Sequence, residues 1–207
     1  MRLLPGLALL VATPAWGADW DAGECASGSG AGPTRCLYRS LLPSSGIVAN
    51  CESEARCRVG AYYGSPDAPT WFEVPAGMDA LPRPRVRWHT ATLAEVRFDC
   101  GRTCTMSYFF EARRRRISPA RAAVLDVDVR RSLVATVEGP AVVVLQIFAG
   151  RPVARIERAW SAGLTAREAV TALHFDPDGR VTFTWLSGPE RRPVTERVTV
   201  PSVPSAG

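Results

Sequence analysis

Short stretches in which apolar and polar positions alternate dominate the chain between positions 47 and 200. A period of two residues is typical of a strand with one buried face. The pattern predicts strands at 47–50, 57–63, 86–89, 94–98, 105–111, 123–129, 132–137, 141–148, 153–157, 181–186 and 194–200. Gly and Pro punctuate the connections, as in Glu138-Gly139-Pro140. Many short strands with such turns favour an all-β domain of antiparallel hairpins.

Two segments depart from this alternation. Residues 142–148 are apolar without interruption except at Gln146, which predicts a strand covered on both faces. At Thr165 to Glu168 the spacing fits a capping box, which predicts a short helix over 166–173. A strand from Val170 to Phe175 is equally compatible with this second segment.

The cysteines mark a repeated hairpin. Cys51 and Cys57 enclose one polar connection, and Cys100 and Cys104 enclose another. Corresponding cysteines are 49 and 47 residues apart, and an aromatic pair follows each hairpin at the same offsets. Looser echoes occur at 127–133 and 175–181, where an apolar residue and Asp enter a turn.

Hairpins that recur at this interval are compatible with several all-β architectures. The stretch Phe175-Asp176-Pro177-Asp178-Gly179 resembles the hairpins of blade repeats in exported propeller proteins, and the resemblance covers about a dozen residues. The motif is common and identifies no family. We therefore expect either a sandwich or open barrel, or a small propeller-like array of about four units.

The first residues have the layout of a secretory signal peptide. Arg2 precedes a short apolar stretch, and Ala15-Trp16-Gly17 places small residues before a predicted cut at Ala18. No later apolar run approaches the length of a membrane helix. We expect a signal peptide at 1–17, an irregular leader at 18–35, a single β-rich domain at 36–200 and a disordered tail at 201–207. The mature chain is expected in the periplasm or outside the cell.

An even number of cysteines in an exported chain indicates disulfides. The C-x3-C spacing of Cys100 and Cys104 differs from the C-x2-C of thioredoxin-like redox sites. Opposed positions in a hairpin lie at a distance that a disulfide accepts. The preferred pairing is therefore local: Cys25 with Cys36, Cys51 with Cys57, and Cys100 with Cys104.

Every cation in the chain is arginine, and the formal net charge is +5, which falls by one if Arg2 is removed with the leader. This composition is typical of a GC-rich bacterial genome. The densest charge run is Arg113, Arg114, Arg115 and Arg116. Export and the lack of interleaved aromatic residues argue against nucleic acid. The run is interpreted as a solvated turn, as a charged edge that blocks strand pairing, or as a contact for an anionic partner such as lipid headgroups, an envelope polymer or an acidic envelope protein.

Few residues suggest catalysis or metal binding. His89 with Glu95 or Asp99 forms a possible pair of a base and the residue that orients it, but no nucleophile is marked, and Ser29 lies in the Gly-rich leader. Neither His89 nor His174 belongs to a zinc-binding spacing.

Asp176-x-Asp178-Gly179 begins like a calcium loop but lacks the later ligands. We therefore predict no cofactor and no metal.

The sequence favours a non-enzymatic exported β-domain that binds another envelope macromolecule, of inhibitor, immunity or envelope-associated type. One alternative is an envelope hydrolase whose carboxylates are brought together only by the fold. Another is a purely structural module.

Overall fold

The structure is a computed structural model that describes residues 20–27, 33–42, 44–101 and 104–202. The predicted signal peptide lies outside the described residues. So do Ser29, the Arg102-Thr103 part of the second cysteine loop, and most of the predicted tail.

Antiparallel strands form four sheets, and each sheet is built from strands that are consecutive in the chain. The first contains β1 (Glu24–Ser27), β2 (Thr34–Arg39), β3 (Ser45–Ser53), β4 (Arg56–Tyr63) and β5 (Thr70–Trp71) in that order. The second contains β6 (Arg85–Trp88), β7 (Leu93–Gly101), β8 (Cys104–Glu111), β9 (Arg116–Ile117) and β10 (Arg121–Ala122); its order is β10-β8-β7-β6, and β9 also pairs with β8.

The third sheet contains β11 (Val124–Asp128), β12 (Leu133–Glu138), β13 (Ala141–Gln146) and β14 (Pro152–Glu157) in that order. A short helix, α1 (Ala166–Ala169), then leads into the fourth sheet. The fourth contains β15 (Val170–Phe175), β16 (Arg180–Ser187) and β17 (Arg192–Thr199). The prediction of an all-β antiparallel fold is confirmed.

A hydrophobic layer lies between each sheet and the next one along the chain. Between the first and second sheets the layer includes Ile47, Val59, Val96, Phe98 and Tyr108. Between the second and third it includes Leu93, Phe109, Val134, Val143 and Ile147. Between the third and fourth it includes Leu133, Val142, Val144, Phe183 and Trp185. The sheets thus pack face to face as in a sandwich, and within the described ranges they close neither a barrel nor a propeller.

Strand β13 shows why one segment is apolar at five successive positions, from Ala141 to Leu145. Val142 and Val144 face the fourth sheet, whereas Ala141, Val143 and Leu145 face the second, and all five are buried. Successive side chains of a strand point to opposite faces, so a strand inside a stack needs apolar residues throughout. The prediction for residues 142–148 is confirmed over the strand itself.

The three predicted disulfides are all present: Cys25–Cys36, Cys51–Cys57 and Cys100–Cys104. The first two join residues that are directly opposed in their strand pairs. The third differs from the expected geometry, because Cys104 opposes Gly101 and Cys100 lies at a bulge in β7. An extra residue in one strand displaces its neighbour from direct pairing.

The leader is more ordered than its composition suggests. Residues 24–27, within the segment expected to be irregular, form β1, and β2 begins at Thr34. The expectation was wrong here because pairing with β2 and the disulfide to Cys36 stabilise a stretch of weak strand formers.

The ambiguous segment contains both predicted elements in succession. Thr165 caps α1, with its side chain accepting a hydrogen bond from the Glu168 N–H while the Glu168 carboxylate accepts one from the Thr165 N–H. The helix then ends and β15 begins at Val170. Among the described residues no helix is long and apolar enough to span a membrane.

Contacts between turns define two ends of the stack. The Leu41 N–H donates to Ala91 O (3.3 Å), which joins the β2–β3 and β6–β7 turns. Arg116 lies over the Phe148 ring, and an Arg131 Nη1–H donates to Gly179 O (2.6 Å). We call this the arginine end. The opposite, cysteine end carries the β3–β4, β7–β8, β12–β13 and β16–β17 turns.

These ends separate the repeated hairpins into two kinds. The cysteine hairpins, β3–β4 and β7–β8, lie at the cysteine end. The echoes at 127–133 and 175–181 are the β11–β12 and β15–β16 hairpins, which lie at the arginine end. They are therefore not counterparts of the cysteine hairpins; their likeness reflects the Asp and Gly chemistry of tight turns in general.

The Cys51–Cys57 bridge should stabilise the first sheet. Replacing both residues by alanine should lower the free energy of unfolding by about 2–3 kcal/mol, because the bridge restricts the unfolded chain and its sulfurs fill the first hydrophobic layer. Urea unfolding followed by tryptophan fluorescence measures this. A change below about 0.5 kcal/mol would show that the hairpin does not need the bridge.

Candidate functional site

The four consecutive arginines lie in the turn between β8 and β9 and not along a sheet edge. Arg113, Arg114 and Arg115 are exposed, and none of them forms an ion pair with a described residue. Arg116 differs: its Nε is 3.1 Å from Glu111 Oε2, and its guanidinium lies 4.3 Å from the centroid of the Phe148 ring. Three of the four cations are thus free to meet a partner.

Arg115 holds an unusual backbone conformation. Its φ is +49°, in the left-handed region that costs a residue with a Cβ about 1–2 kcal/mol. Its guanidinium lies 5.7 Å from the centroid of the Tyr63 ring. Burial raises the pKa of Tyr63 to about 12, so this ring stays neutral beneath the cation. Glycine would be less strained at this position, so the backbone and the arginine side chain can be tested separately.

Two further arginines lie in neighbouring turns of the same end. Arg130 belongs to the β11–β12 turn and Arg151 to the β13–β14 turn, and both are exposed without an ion pair among the described residues. The two turns are joined where the Ile147 N–H donates to Ser132 O at 2.9 Å. The sequence shows Arg130 and Arg151 only as isolated charges; the packing of the second and third sheets brings them beside the arginine run.

The positive charge of the protein is concentrated in these turns. Residues 111–116, 128–132 and 147–151 hold seven arginines and two carboxylates. The carboxylates are Glu111, which pairs with Arg116, and Asp128, which pairs with Arg131. The excess of five positive charges equals the formal net charge of the whole chain.

The neighbouring β15–β16 turn is neutralised within the protein. Asp176 Oδ2 accepts hydrogen bonds from Arg197 Nε (2.7 Å) and Thr182 Oγ1 (2.8 Å), and Arg197 Nη2 is 3.1 Å from Asp178. The Arg197 guanidinium holds the pKa of Asp176 below its usual range. These carboxylates therefore serve as partners of Arg197.

A cleft of about 560 Å³ lies between this turn and the β11–β12 turn. The carboxylates along it are engaged: Asp126 accepts the Phe175 N–H at 2.9 Å, and Asp128 binds Arg131. A general acid in glycoside hydrolysis needs a carboxyl whose pKa is raised, the opposite of what Arg197 does to Asp176. Over the described residues no group of three or more His, Cys, Asp and Glu side chains is arranged to hold a metal.

The suggested pair of His89 and Glu95 is real, but it belongs to a buried network. Glu95, on β7, is 2% exposed, and its Oε2 is 3.3 Å from His89 Nε2. Its Oε1 accepts the Ser107 hydroxyl at 2.7 Å and lies 3.2 Å from Arg97 Nη2. Burial by itself raises the pKa of Glu95, but His89, Arg97 and Ser107 together lower it below its usual value. The carboxylate therefore stays ionised between the second and third sheets.

The other suggested partner, Asp99, is not in this network. It lies on the same face of β7 but four residues further along, about 13 Å away, and its carboxylate is 3.8 Å from Arg85. Sequence reasoning missed Ser107 and Arg97. The one feature that could have identified them is the β7–β8 register, in which Arg97 pairs with Ser107 two positions along from Glu95.

The network lacks the arrangement of a nucleophilic site. Ser107 is 1% exposed and its hydroxyl donates to a carboxylate, whereas an activated serine donates to a histidine base and faces the substrate. Arg97 also donates to Val124 O on β11 at 3.4 Å, so the network connects two sheets. We interpret it as a structural link.

No protein-family model, curated protein or solved structure matches this chain. Function can therefore be inferred only from the exposed surfaces described above. Among them the arginine end is the one where unpaired charges accumulate.

The Glu95 network should make stability depend on pH. Because the pKa of Glu95 is lower in the folded state, the unfolded chain binds this proton more readily, and stability is lost as pH falls from about 5 through the folded value. The Glu95→Gln variant should be less stable by about 3 kcal/mol at pH 7 and should lack this component. Urea unfolding between pH 3 and 7 measures both effects.

Asp99→Asn, on the same strand and face but exposed, is the matched control. It should change stability by less than about 0.5 kcal/mol. If the unfolding free energy of the Glu95→Gln variant changed with pH in the same way as that of the parent, the carboxylate would not be charged in the folded protein.

Proposed function

We propose that this protein is an exported, non-enzymatic β-sheet protein that binds an anionic macromolecule of the cell envelope through its arginine end. The observation that carries the proposal is the exposure of three unpaired arginines, Arg113, Arg114 and Arg115, in one turn. Arg130 and Arg151 extend this surface across two neighbouring turns.

Export is supported by the layout of the first 17 residues and by the three closed disulfides. Disulfides persist in oxidising compartments and are rare where thiols are kept reduced. The described residues contain no free cysteine. In such a compartment the available polyanions are lipids, cell-wall or surface polymers and acidic proteins, and nucleic acid is scarce.

The chemistry of the surface suits oxyanions. A guanidinium presents a planar set of donors that matches carboxylate and phosphate groups, and it stays charged at any physiological pH. Side chains that already pair with a carboxylate, as Arg116 does with Glu111, contribute less to an external partner. Charges that lack a partner within the described residues attract a ligand without competition from an internal ion pair. Salt screens this attraction and should weaken binding.

Charge reversal tests the proposal. The Arg113→Glu/Arg114→Glu variant should bind soluble polyphosphate about 10- to 100-fold more weakly than the parent, since two attractive charges become repulsive. The parent's affinity should itself fall steeply between 50 and 200 mM salt. Isothermal titration calorimetry measures both quantities.

The chain offers a matched control at the opposite end. Arg191 and Arg192 are adjacent and exposed in the β16–β17 hairpin, so Arg191→Glu/Arg192→Glu makes the same change in net charge. This control should keep at least half of the parent's affinity. Equal losses in both variants would contradict a localised site and indicate attraction by net charge alone.

The strained backbone gives a second test. Arg115→Gly should raise the free energy of unfolding by about 0.5–1 kcal/mol, because glycine adopts a positive φ without the steric cost. The same variant should bind polyphosphate several-fold more weakly. Chemical unfolding and calorimetry on one preparation measure the two effects.

Arg191→Gly is the control for strain, since Arg191 also has a positive φ of 52° but lies at the cysteine end. It should gain stability and keep its affinity. If Arg115→Gly gained stability with unchanged binding, the position of Arg115 would have no role in binding.

A further inference from the structure

The most exposed large apolar side chain of the described residues lies at the arginine end. Leu41, in the β2–β3 turn, is 63% exposed, compared with 43% for Val74 and 37% for Val194. Val74 lies in the β5–β6 connection and Val194 in β17. An exposed leucine is common by itself, so its meaning depends on its surroundings.

The turn that carries Leu41 is held firmly. Besides the bond from the Leu41 N–H to Ala91 O, the Leu42 N–H donates to Ser40 Oγ at 3.1 Å, and Ser40 Oγ and Ser45 Oγ are 2.7 Å apart. Leu42 packs against the first hydrophobic layer. Of two adjacent leucines, Leu42 is thus half-buried against the core, and Leu41 is presented to the outside on a hydrogen-bonded turn.

Two separate contacts place Leu41 beside the free arginines. The Ala112 N–H, in the β8–β9 turn, donates to Thr92 O at 2.8 Å, and the Leu41 N–H donates to Ala91 O. The turn with the arginines and the turn with Leu41 therefore both contact the β6–β7 turn. On the other side, Arg115 lies over Tyr63, which pairs with Ser45 at the end of the Leu41 turn. The leucine and the unpaired arginines therefore belong to one surface.

We infer that the partner of the arginine end is the surface of an anionic phospholipid bilayer, with the arginines at the headgroup phosphates and Leu41 inserted among the acyl chains. This inference rests on the proposed function and adds the class of partner. A hydrated polyanion offers an apolar side chain nothing to bury against. A bilayer surface attracts cations to its anionic headgroups and takes up apolar side chains just below them, at the boundary with the acyl chains.

Each arginine and Leu41 are expected to contribute modestly to membrane affinity, and all of them strengthen it. Each arginine near an anionic membrane surface strengthens binding by about fivefold. Several such charges together with one inserted leucine give a reversible peripheral association. Binding should therefore need anionic lipid and should weaken at high salt.

Vesicle sedimentation tests the inference, with pure phosphatidylcholine vesicles compared with vesicles containing 30% phosphatidylglycerol. The parent should partition onto the anionic vesicles at least tenfold more strongly. Leu41→Ser should reduce this partition about five- to tenfold while leaving polyphosphate affinity unchanged. Val74→Ser, which alters an exposed apolar residue elsewhere, should change neither.

Each result separates the two proposals. Polyphosphate binding without enrichment on anionic vesicles would overturn the lipid inference and leave the proposed function standing. Vesicle binding that is unaffected by Leu41→Ser would overturn the insertion of Leu41. Loss of binding to both probes in a correctly folded parent would overturn both proposals. Because Leu41 is exposed, an unchanged thermal midpoint of Leu41→Ser confirms that its fold is intact.

Discussion

The burial of both faces of the two middle sheets is the constraint on which the rest of the structure depends. The second sheet packs on the first through residues such as Val96 and Tyr108, and on the third through Leu93 and Phe109. A strand buried on both faces has no solvated face for polar side chains, so the polar residues it does carry need partners inside the protein. The chain must therefore supply apolar residues at successive positions, and it does so most clearly in β13.

A buried carboxylate inside this stack, that of Glu95, is surrounded by groups that compensate for its burial. Glu95 occupies an inward position between the second and third sheets, where an unpaired carboxylate would be strongly unfavourable. Three donors from His89, Arg97 and Ser107 surround it, and Arg97 extends to the third sheet. A polar contact of this kind requires one relative placement of the two sheets, whereas apolar contacts tolerate small shifts. The network thus adds specificity to an interface that is otherwise held by the hydrophobic effect.

With the sheet faces occupied by packing, the turns carry what is available for a partner. At the cysteine end, the Cys51–Cys57 and Cys100–Cys104 bridges close two of the hairpins. At the arginine end, Arg113, Arg114, Arg130 and Arg151 form no ion pair with any residue that the structure describes. The division suggests that stability and recognition are assigned to opposite ends of the same strands. The exposed Leu41 at the arginine end then has an explanation in partner binding, because an exposed side chain contributes little to stability.

The sequence by itself predicted most of the longer strands from β3 onward, their antiparallel class and the local pairing of the cysteines. These follow from local rules: the alternation of side chains along a strand, the chemistry of turns and the short reach of a disulfide. It also identified β13 as buried on both faces. It did not determine the order in β1, where pairing overrides composition, or the bulge that displaces Cys100.

Only the tertiary structure decided which distant residues meet. Ser107 and Arg97 reach Glu95 through the register between β7 and β8. Asp99 does not reach it, because four residues of an extended strand separate the two carboxylates by about 13 Å. Arg130, Arg151 and Leu41 join the arginine run because the stacking of sheets brings separate turns to one end. Such contacts between residues far apart in the chain depend on how whole faces pack, and no local pattern records that packing.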